Sequence, residues 1–451
     1  MKLRKYSQFK LVIVLYFIWT IWSKGLVQSS LVLTVHTSNF VKLTIPFLVL
    51  GLCGISISAI LKYTSFKTKT LSSVKKLIFS SILIFNSIVV LPLYAFALGW
   101  ETPAIFVHKL FRVSIIKPIF ADYQTILDGI SCENVKQIGD LINCDVTGDD
   151  RIWNYPTILL KLKNIIWVFD NKLIAFTMIA IALNIVLLKW AKQSELLQIL
   201  TLSVSFISPP ILLALNRLNY DVIIFILIIF CYFLINKSKT YYLGIFLLSV
   251  TSLLKFYVIF ILFYMLFLTK KVNQQIFLII NLFLVVLMLY PDLKAQDSAI
   301  GRDVKGSLGL SVLASRITGA ETATRSISIL TLLIVLIVFI NSLHLVKVIH
   351  TNGETHKIDF NLIVYFGIPF LASWFLVSNY YYRLILLIPI IHHCLKHQHF
   401  KEILEIGICT LFAFFCSPNI LGTVQNLLIL PVISFIISCI YLKIKIELKR
   451  V

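Results

Sequence analysis

The stretch LNRLNYDVIIFILIIF, residues 215–230, places two opposite charges at the start of a long apolar run. Arg217 and Asp221 lie four positions apart, and every residue from 222 to 230 is aliphatic or aromatic. A charge at membrane depth is costly unless it faces a polar cavity. The surroundings of this pair therefore bear on both the fold and the function.

The composition indicates a membrane protein with many crossings. Of 451 residues, 59% are hydrophobic and 14% are charged, and the mean hydropathy is +0.93. Soluble domains are about half apolar and about a quarter charged. Apolar runs recur along the whole chain, as in polytopic helical proteins. The sequence predicts these runs near 11–33, 43–62, 77–98, 173–190, 196–215, 222–236, 241–254, 256–268, 275–290, 327–346, 360–377, 384–395, 402–417 and 423–442.

The distribution of Lys and Arg predicts how these runs are oriented. If the N-terminus is cytoplasmic, the inner loops hold 23 of the 41 basic residues. The short outer connections then hold 5, since the long segments 99–172 and 291–325 are discounted. Both termini are therefore predicted to be cytoplasmic. This pattern also accounts for the net charge of +21 without a nucleic-acid partner.

Three of those outer cations, Arg217, Lys255 and Arg383, lie in tight connections between apolar runs. The runs that follow Lys255 and Arg383, 256–268 and 384–395, are shorter than the roughly 20 residues that span a bilayer. We expect both cations to be sunk below the outer surface, facing a polar cavity. Arg217 and Asp221 either join this site or pair with each other at the surface.

The outer segment 99–172 supplies carboxylates. The stretch ADYQTILDG, residues 121–129, places Asp122 at a possible helix N-cap and Asp128 near the end of that helix. Tyr155 is either an interfacial anchor or part of a site. Cys132 and Cys144 share the segment and could form a disulfide in an oxidising compartment.

These residue types together suit group transfer from a lipid phosphate. A carboxylate can act as general base on a hydroxyl, and Arg or Lys can hold a phosphate leaving group.

Four stretches carry a resemblance to the GT-C superfamily of membrane glycosyltransferases, and most closely to glycosyltransferase family 87. That family is similar to mannosyltransferases that use polyprenyl-phosphate mannose. The chain departs from the family by two extra N-terminal apolar runs and by Pro156-Thr157 where the family often has Pro-Pro. The stretches are ADYQTILDG (121–129), NYPTILL (154–160), NRLNYDVIIFILIIF (216–230) with YYLGIFLLSVTSLLKFYVIFIL (241–262), and SNYYYRLILLIPI (378–390).

The resemblance implies an all-α polytopic membrane protein, a GT-C-like bundle of roughly 12–14 transmembrane helices with a long first catalytic outer loop. The single domain, 1–451, would comprise extra helices in 1–76, a core in 77–395 that includes the loop 99–172, and C-terminal helices in 396–451.

The implied activity is inverting transfer of a hexose, with mannose expected. The donor is a polyprenyl-phosphate sugar, the acceptor is a lipid or glycan, and the reaction takes place at the outer face of a bacterial inner membrane. Asp122 would be the general base, with Asp128 in reserve, and no metal or cofactor would be needed. Arg217, Lys255 and Arg383 would hold the donor phosphate, while the other site residues would be Asp221, Asn219, Tyr155 and Tyr382.

Two other classes of membrane protein remain open. A flippase for lipid-linked sugars would also place charges in a central cavity, but the chain shows no repeat between its halves, which many transporters have. An O-antigen-type polymerase or ligase would place its long functional loop later in the chain. The cluster HHCLKHQHF, residues 392–400, lacks the spacing of a metal site and is predicted to be cytoplasmic.

Overall fold

The described part of the chain is mainly helical. The protein is represented by a computed structural model that describes residues 82, 85–97, 104–105, 107, 120–132, 135–137, 140–142, 151–152, 155–161, 172–192, 196–299, 307–308, 325–351, 359–376, 379–396 and 418–448. The predicted N-terminal runs 11–33 and 43–62, and the run 402–417, lie outside these residues.

The helices follow the apolar runs closely. Short 3-10 turns at Ser238–Thr240, Phe256–Val258 and Tyr381–Leu387 precede three of them, and a π-helical turn at Asn86–Val90 precedes the first. In chain order the helices are α1 (Leu91–Ala97), α2 (Ala121–Ser131), α3 (Ile158–Lys161), α4 (Lys172–Lys192), α5 (Leu196–Phe206), α6 (Pro209–Asn216), α7 (Tyr220–Ile235), α8 (Tyr241–Leu254), α9 (Ile259–Leu268), α10 (Val272–Ala299), α11 (Arg325–Thr351), α12 (Phe360–Leu376), α13 (Ile388–Lys396) and α14 (Pro418–Leu448).

Two short antiparallel ladders connect the segments between helices. Strand β1 (Leu141–Ile142) pairs with β2 (Arg151–Ile152) inside the predicted outer loop. Strand β3 (Ser307–Leu308) pairs with β4 (Asn379–Tyr380). The second ladder therefore ties the segment after α10 to the turn that precedes Arg383.

Within the described part of the chain, three helical segments are long and apolar enough to cross a membrane, by length and composition: Lys172–Trp190, Val272–Asp292 and Ile429–Glu447. Helices α10 and α11 also expose large apolar side chains, such as Phe283 at 65% and Leu332 at 69%. Wide apolar faces of this kind fit contact with lipid better than contact with water.

Successive helices carry the predicted site residues to one end of the molecule. Helix α7 begins beside Asp221 and ends about 24 Å away, given its 16 residues. Helix α8 returns to Lys255, and α10 returns to Asp292. Residues predicted to be cytoplasmic, such as Lys237, lie at the far end of α7. Lys237 and the predicted site residues therefore lie at opposite ends of α7, and the orientation of these ends in a membrane stays a prediction.

Two sequence predictions about elements are wrong in detail. The run 196–215 is not one helix, because the chain bends at Ile207–Ser208 and Pro209-Pro210 start a new helix. Proline suits a first helical turn, where its missing N–H costs no helical hydrogen bond. The segment 291–325 is not all loop either, since α10 continues to Ala299 with Pro291 inside it.

Candidate functional site

The site is built on the tight turn between α6 and α7. Leu218 has a positive φ of 47°, which is uncommon for a residue with a branched side chain. Backbone hydrogen bonds hold this turn, from Leu218 N to Leu215 O at 3.0 Å and from Asn219 N to Ala214 O at 2.7 Å. The Asn219 side chain caps α7 by accepting from Asp221 N at 2.8 Å.

Helix α2 is docked directly onto this turn by its backbone. Phe120 N donates to Asn216 O at 2.8 Å, and Asp122 N donates to Arg217 O at 3.1 Å. Phe120 also has a positive φ, 62°, and it is the N-cap residue of α2. The prediction that Asp122 is the N-cap is therefore wrong, as Asp122 lies in the first helical turn. The helix also ends later than predicted, at Ser131.

The Asp122 carboxylate is held by two side chains from the turn. Arg217 donates to Oδ1 through Nε at 2.7 Å, and its Nη2 lies 2.5 Å from the same oxygen. The Asn219 amide donates to Oδ2. A carboxylate oxygen has two lone pairs. Arg217 engages both on Oδ1, whereas Oδ2, which accepts from Asn219, can accept a further hydrogen bond. The arrangement fixes the orientation of the carboxylate.

A second carboxylate, Asp221, is almost fully buried, with 2% of its side chain exposed. Tyr257 donates its hydroxyl to Oδ1 at 2.6 Å, and Arg383 Nε donates to Oδ2 at 3.1 Å. The Lys255 ammonium lies 3.8 Å from Oδ1. The Asp221 carboxylate therefore pairs with residues beyond α7, and Arg217 pairs with Asp122. Of the two alternatives for Arg217 and Asp221, the mutual surface pair does not form, and two ion-pair groups lie there instead.

Counting these five ionisable residues, three cations face two carboxylates. Lys255 is the most loosely paired of the three, since its 3.8 Å separation is longer than a hydrogen bond. It lies in the connection after α8, where burial lowers the pKa of its ammonium while Asp221 opposes that shift. By formal count, the group has one more cationic side chain than carboxylates.

Tyr155 lies between the two ion-pair groups. Its hydroxyl donates to the backbone carbonyl of Asp122 at 3.4 Å. The Lys255 ammonium is 5.8 Å from the centre of its ring, and the Tyr220 ring meets it edge-on at 6.5 Å. The buried Tyr155 ring thus contacts both halves of the site.

Of the remaining predicted site residues, Asp128 lies away from the ion-pair groups, and only the backbone of Tyr382 is described. Asp128 accepts from Gln124 one turn back on α2, about 9 Å along the helix axis from Asp122. The backbone of Tyr382 is in the 3-10 turn before α13, next to Arg383, and its side chain lies outside the described residues.

Cys132 is disulfide-bonded. The other described cysteines, Cys231, Cys394 and Cys439, are free. The partner of Cys132 therefore lies outside the described residues, as the predicted partner Cys144 does.

The histidine cluster lies at the opposite end from the site. His393 Nε2 accepts from Asp359 N at 3.0 Å, and the His392 ring stacks on Trp190. Among the described residues, no group of three metal-ligating side chains occurs. His397 and His399 lie outside the described residues.

Sequence reasoning missed two residues of this end of the molecule. Tyr257 follows Lys255 by two positions, and nothing in an aromatic-rich run marks it as a partner of Asp221. Asp292 is a buried carboxylate at the end of a 21-residue apolar segment, directly after Pro291. An acid inside an otherwise apolar span was a usable signal for Asp292.

No protein-family model, curated protein or solved structure matches this chain.

Proposed function

We propose that the chain is a membrane glycosyltransferase, a hexosyltransferase that uses a polyprenyl-phosphate sugar and passes the sugar to a hydroxyl of a lipid or glycan acceptor. Mannose is the expected sugar. The observation that carries the proposal is the held Asp122 carboxylate, gathered with the Arg217, Lys255 and Arg383 side chains at one end of a set of apolar helices.

In this proposal Asp122 takes the proton of the acceptor hydroxyl. The acceptor oxygen attacks the anomeric carbon as that carbon loses its bond to the phosphate oxygen, which leaves with the bonding electrons. Attack from the opposite face inverts the anomeric centre. Arg217 and Asn219 support this role because they fix the direction of the carboxylate, and Oδ2, which accepts only one of these contacts, can receive the proton.

The cations would stabilise the leaving phosphate. A polyprenyl-phosphate sugar carries one negative charge on its phosphodiester, and a second develops on that phosphate as the sugar departs. Lys255 is the best candidate for direct contact with the phosphate. Its 3.8 Å separation from Asp221 is the longest of the three ion pairs in the site. Arg217 and Arg383 each hold a carboxylate already. They would stabilise the leaving phosphate both by direct hydrogen bonds and by their positive charge at longer range.

The wider architecture belongs to the same proposal. A donor with a polyprenyl tail needs a site that lipid can reach, and apolar helices with exposed faces supply one. We place the protein in a bacterial inner membrane as a GT-C-like bundle with cytoplasmic termini and the site facing outside. The 23-to-5 asymmetry of basic residues supports this orientation.

Membranes containing the protein, mixed with radiolabelled polyprenyl-phosphate hexoses, test the proposal. We expect label to move from the donor into a new lipid or glycan product, with free polyprenyl phosphate formed alongside. Membranes with an Asp122→Ala variant serve as the control.

Other outcomes would contradict the proposal. Label that crosses sealed vesicles while staying in intact donor would indicate a flippase. Transfer only from polyprenyl-diphosphate-linked oligosaccharides would indicate a polymerase or ligase.

A further inference from the structure

A buried carboxylate outside the two ion-pair groups holds the turn that carries Tyr155. Asp292 is 5% exposed at the end of the apolar part of α10. Both of its oxygens accept from Thr157 N, at 3.2 and 3.1 Å. The contact joins two segments 135 residues apart in the chain.

The held turn is short and leads straight to the site. Thr157 is two residues from Tyr155, and the chain between them is Pro156, whose ring fixes φ and limits the motion of the peptide. Tyr155 in turn donates to the carbonyl of Asp122 and lies beside the Lys255 ammonium. A shift at Thr157 would therefore displace the Tyr155 ring.

We infer that Asp292 is a positioning residue that fixes the Tyr155–Thr157 turn and, through Tyr155, the position of Asp122 relative to the bound donor. This inference rests on the proposed function. Asp292 acts as a hydrogen-bond acceptor, so an amide oxygen at the same place does most of the same work. Displacing a reacting group by about 1 Å can cost about a hundredfold in rate.

Asp292→Ala and Asp292→Asn separate this role from others, with Asn281→Ala as the matched control. Asn281 lies on the same helix, is buried, and donates along that helix, to Phe277 O. Amide hydrogen exchange of the peptide covering 155–161 is measured for each protein, together with donor binding and kcat.

We expect Asp292→Ala to speed exchange of this peptide by about ten- to a hundredfold, because the acceptor of the Thr157 N–H is lost. We expect kcat to fall about ten- to a hundredfold with donor binding retained. Asp292→Asn should stay close to wild type in both measurements, and Asn281→Ala should change neither.

Several results would overturn the inference. These are wild-type exchange in Asp292→Ala, faster exchange with unchanged kcat, or an Asn variant as impaired as the Ala variant. If Asp292→Ala does not fold, the other two proteins decide. The inference then requires slow exchange of the 155–161 peptide in the wild type and near wild-type kcat and exchange in Asp292→Asn. A wild-type protein that transfers no sugar would refute the proposed function alone, since the exchange measurement tests the Asp292–Thr157 contact by itself.

Discussion

Lys255 and Arg383 share the carboxylate of Asp221 but hold it differently. Arg383 donates to it at 3.1 Å, whereas the Lys255 ammonium is 3.8 Å away. We therefore expect Lys255→Met to weaken donor binding while the protein stays folded. Loss of a charge-assisted contact to phosphate costs about 1.5–3 kcal/mol, or about ten- to a hundredfold in the donor dissociation constant.

Binding of a radiolabelled polyprenyl-phosphate hexose to the purified protein measures this. Lys270→Met is the control. Lys270 is exposed, forms a similarly loose ion pair with Glu447 at 4.0 Å, and lies at the opposite end of the bundle. Wild-type affinity in Lys255→Met would show that Lys255 does no more than neutralise Asp221.

Asp221 should matter mainly for stability. Its removal would leave the Arg383 guanidinium buried without its carboxylate and Tyr257 without its acceptor. Breaking a buried pair from one side costs about 3–5 kcal/mol. We expect Asp221→Ala to lower the free energy of unfolding by that amount, as measured by thermal unfolding in detergent.

The comparison is Asp359→Ala, which removes an exposed carboxylate. Asp359 accepts a hydrogen bond from the Tyr232 hydroxyl and caps α12. It should cost only about 1 kcal/mol. Equal losses in the two variants would contradict the view that burial makes Asp221 structurally important.

The sequence predicted some of the residues that meet but not how they pair. Cations in tight connections, next to apolar runs too short to span a bilayer, predicted a sunken site. Arg217, Lys255 and Arg383 do lie together with Asp122 and Asp221. The pairing of Arg217 with Asp122 spans 95 residues. Pairing at such distance depends on how α2 docks on the turn, and local spacing suggests the nearer Asp221 instead. The roles assigned to these residues stay predictions.

Helix bounds were predictable where a polar residue ends an apolar run. The run 241–254 matches α8 residue for residue, because Lys255 stops it. The break between α5 and α6 was missed, because Ser208-Pro209-Pro210 lies inside a continuous apolar run and only the prolines mark it. The start of α2 at a left-handed phenylalanine has no signature in the sequence, since phenylalanine has no cap side chain.

Helices α7 and α8 approach each other closely at Gly244. A Cβ at this position would lie 2.6 Å from Ile235 Cγ1 and 2.9 Å from Ile235 N. We expect Gly244→Ala to lower the free energy of unfolding by about 1–3 kcal/mol, the usual cost of overpacking. This should outweigh the gain of up to about 1 kcal/mol from placing alanine in a helix.

The matched case is Gly367 on α12, where a Cβ would meet the Ile436 side chain on α14. In thermal unfolding, Gly367→Ala should cost less in an Ile436→Ala background. Gly244→Ala should keep part of its cost with Ile235→Ala, since the contact with Cγ1 is removed but the backbone nitrogen remains 2.9 Å away. Complete relief at Gly244 would contradict the close backbone approach of α7 and α8.

At the scale of the whole molecule, the site residues and the Lys237–Ser238 turn lie at opposite ends of α7. Which end faces the outside of a membrane is a prediction. Gln137 is exposed near the site end and Ser238 is exposed at the other end. Gln137→Cys should react with a membrane-impermeant maleimide in intact cells. Ser238→Cys should react only after permeabilisation.

The wild-type chain is the blank for this labelling, since its described free cysteines are buried. Labelling of Gln137→Cys only after permeabilisation would reverse the orientation and remove the proposed site from the outer face.

Asp122→Asn needs a structural control, because it also breaks the ion pair with Arg217. Arg217→Gln breaks the same pair from the other side. If Asp122 serves only to dock α2 on the turn, the two variants should lose similar stability and similar turnover. If Asp122 is the base, they differ: Arg217→Gln weakens donor binding, and Asp122→Asn does not.

The most direct test is the turnover of Asp122→Asn with a radiolabelled polyprenyl-phosphate hexose, measured at saturating donor. An amide keeps the shape of the carboxylate but cannot accept the proton. The account predicts a loss of about a hundred- to ten-thousandfold in rate, with donor binding retained. Turnover above about a tenth of the wild-type rate would contradict the assignment of Asp122 as the general base.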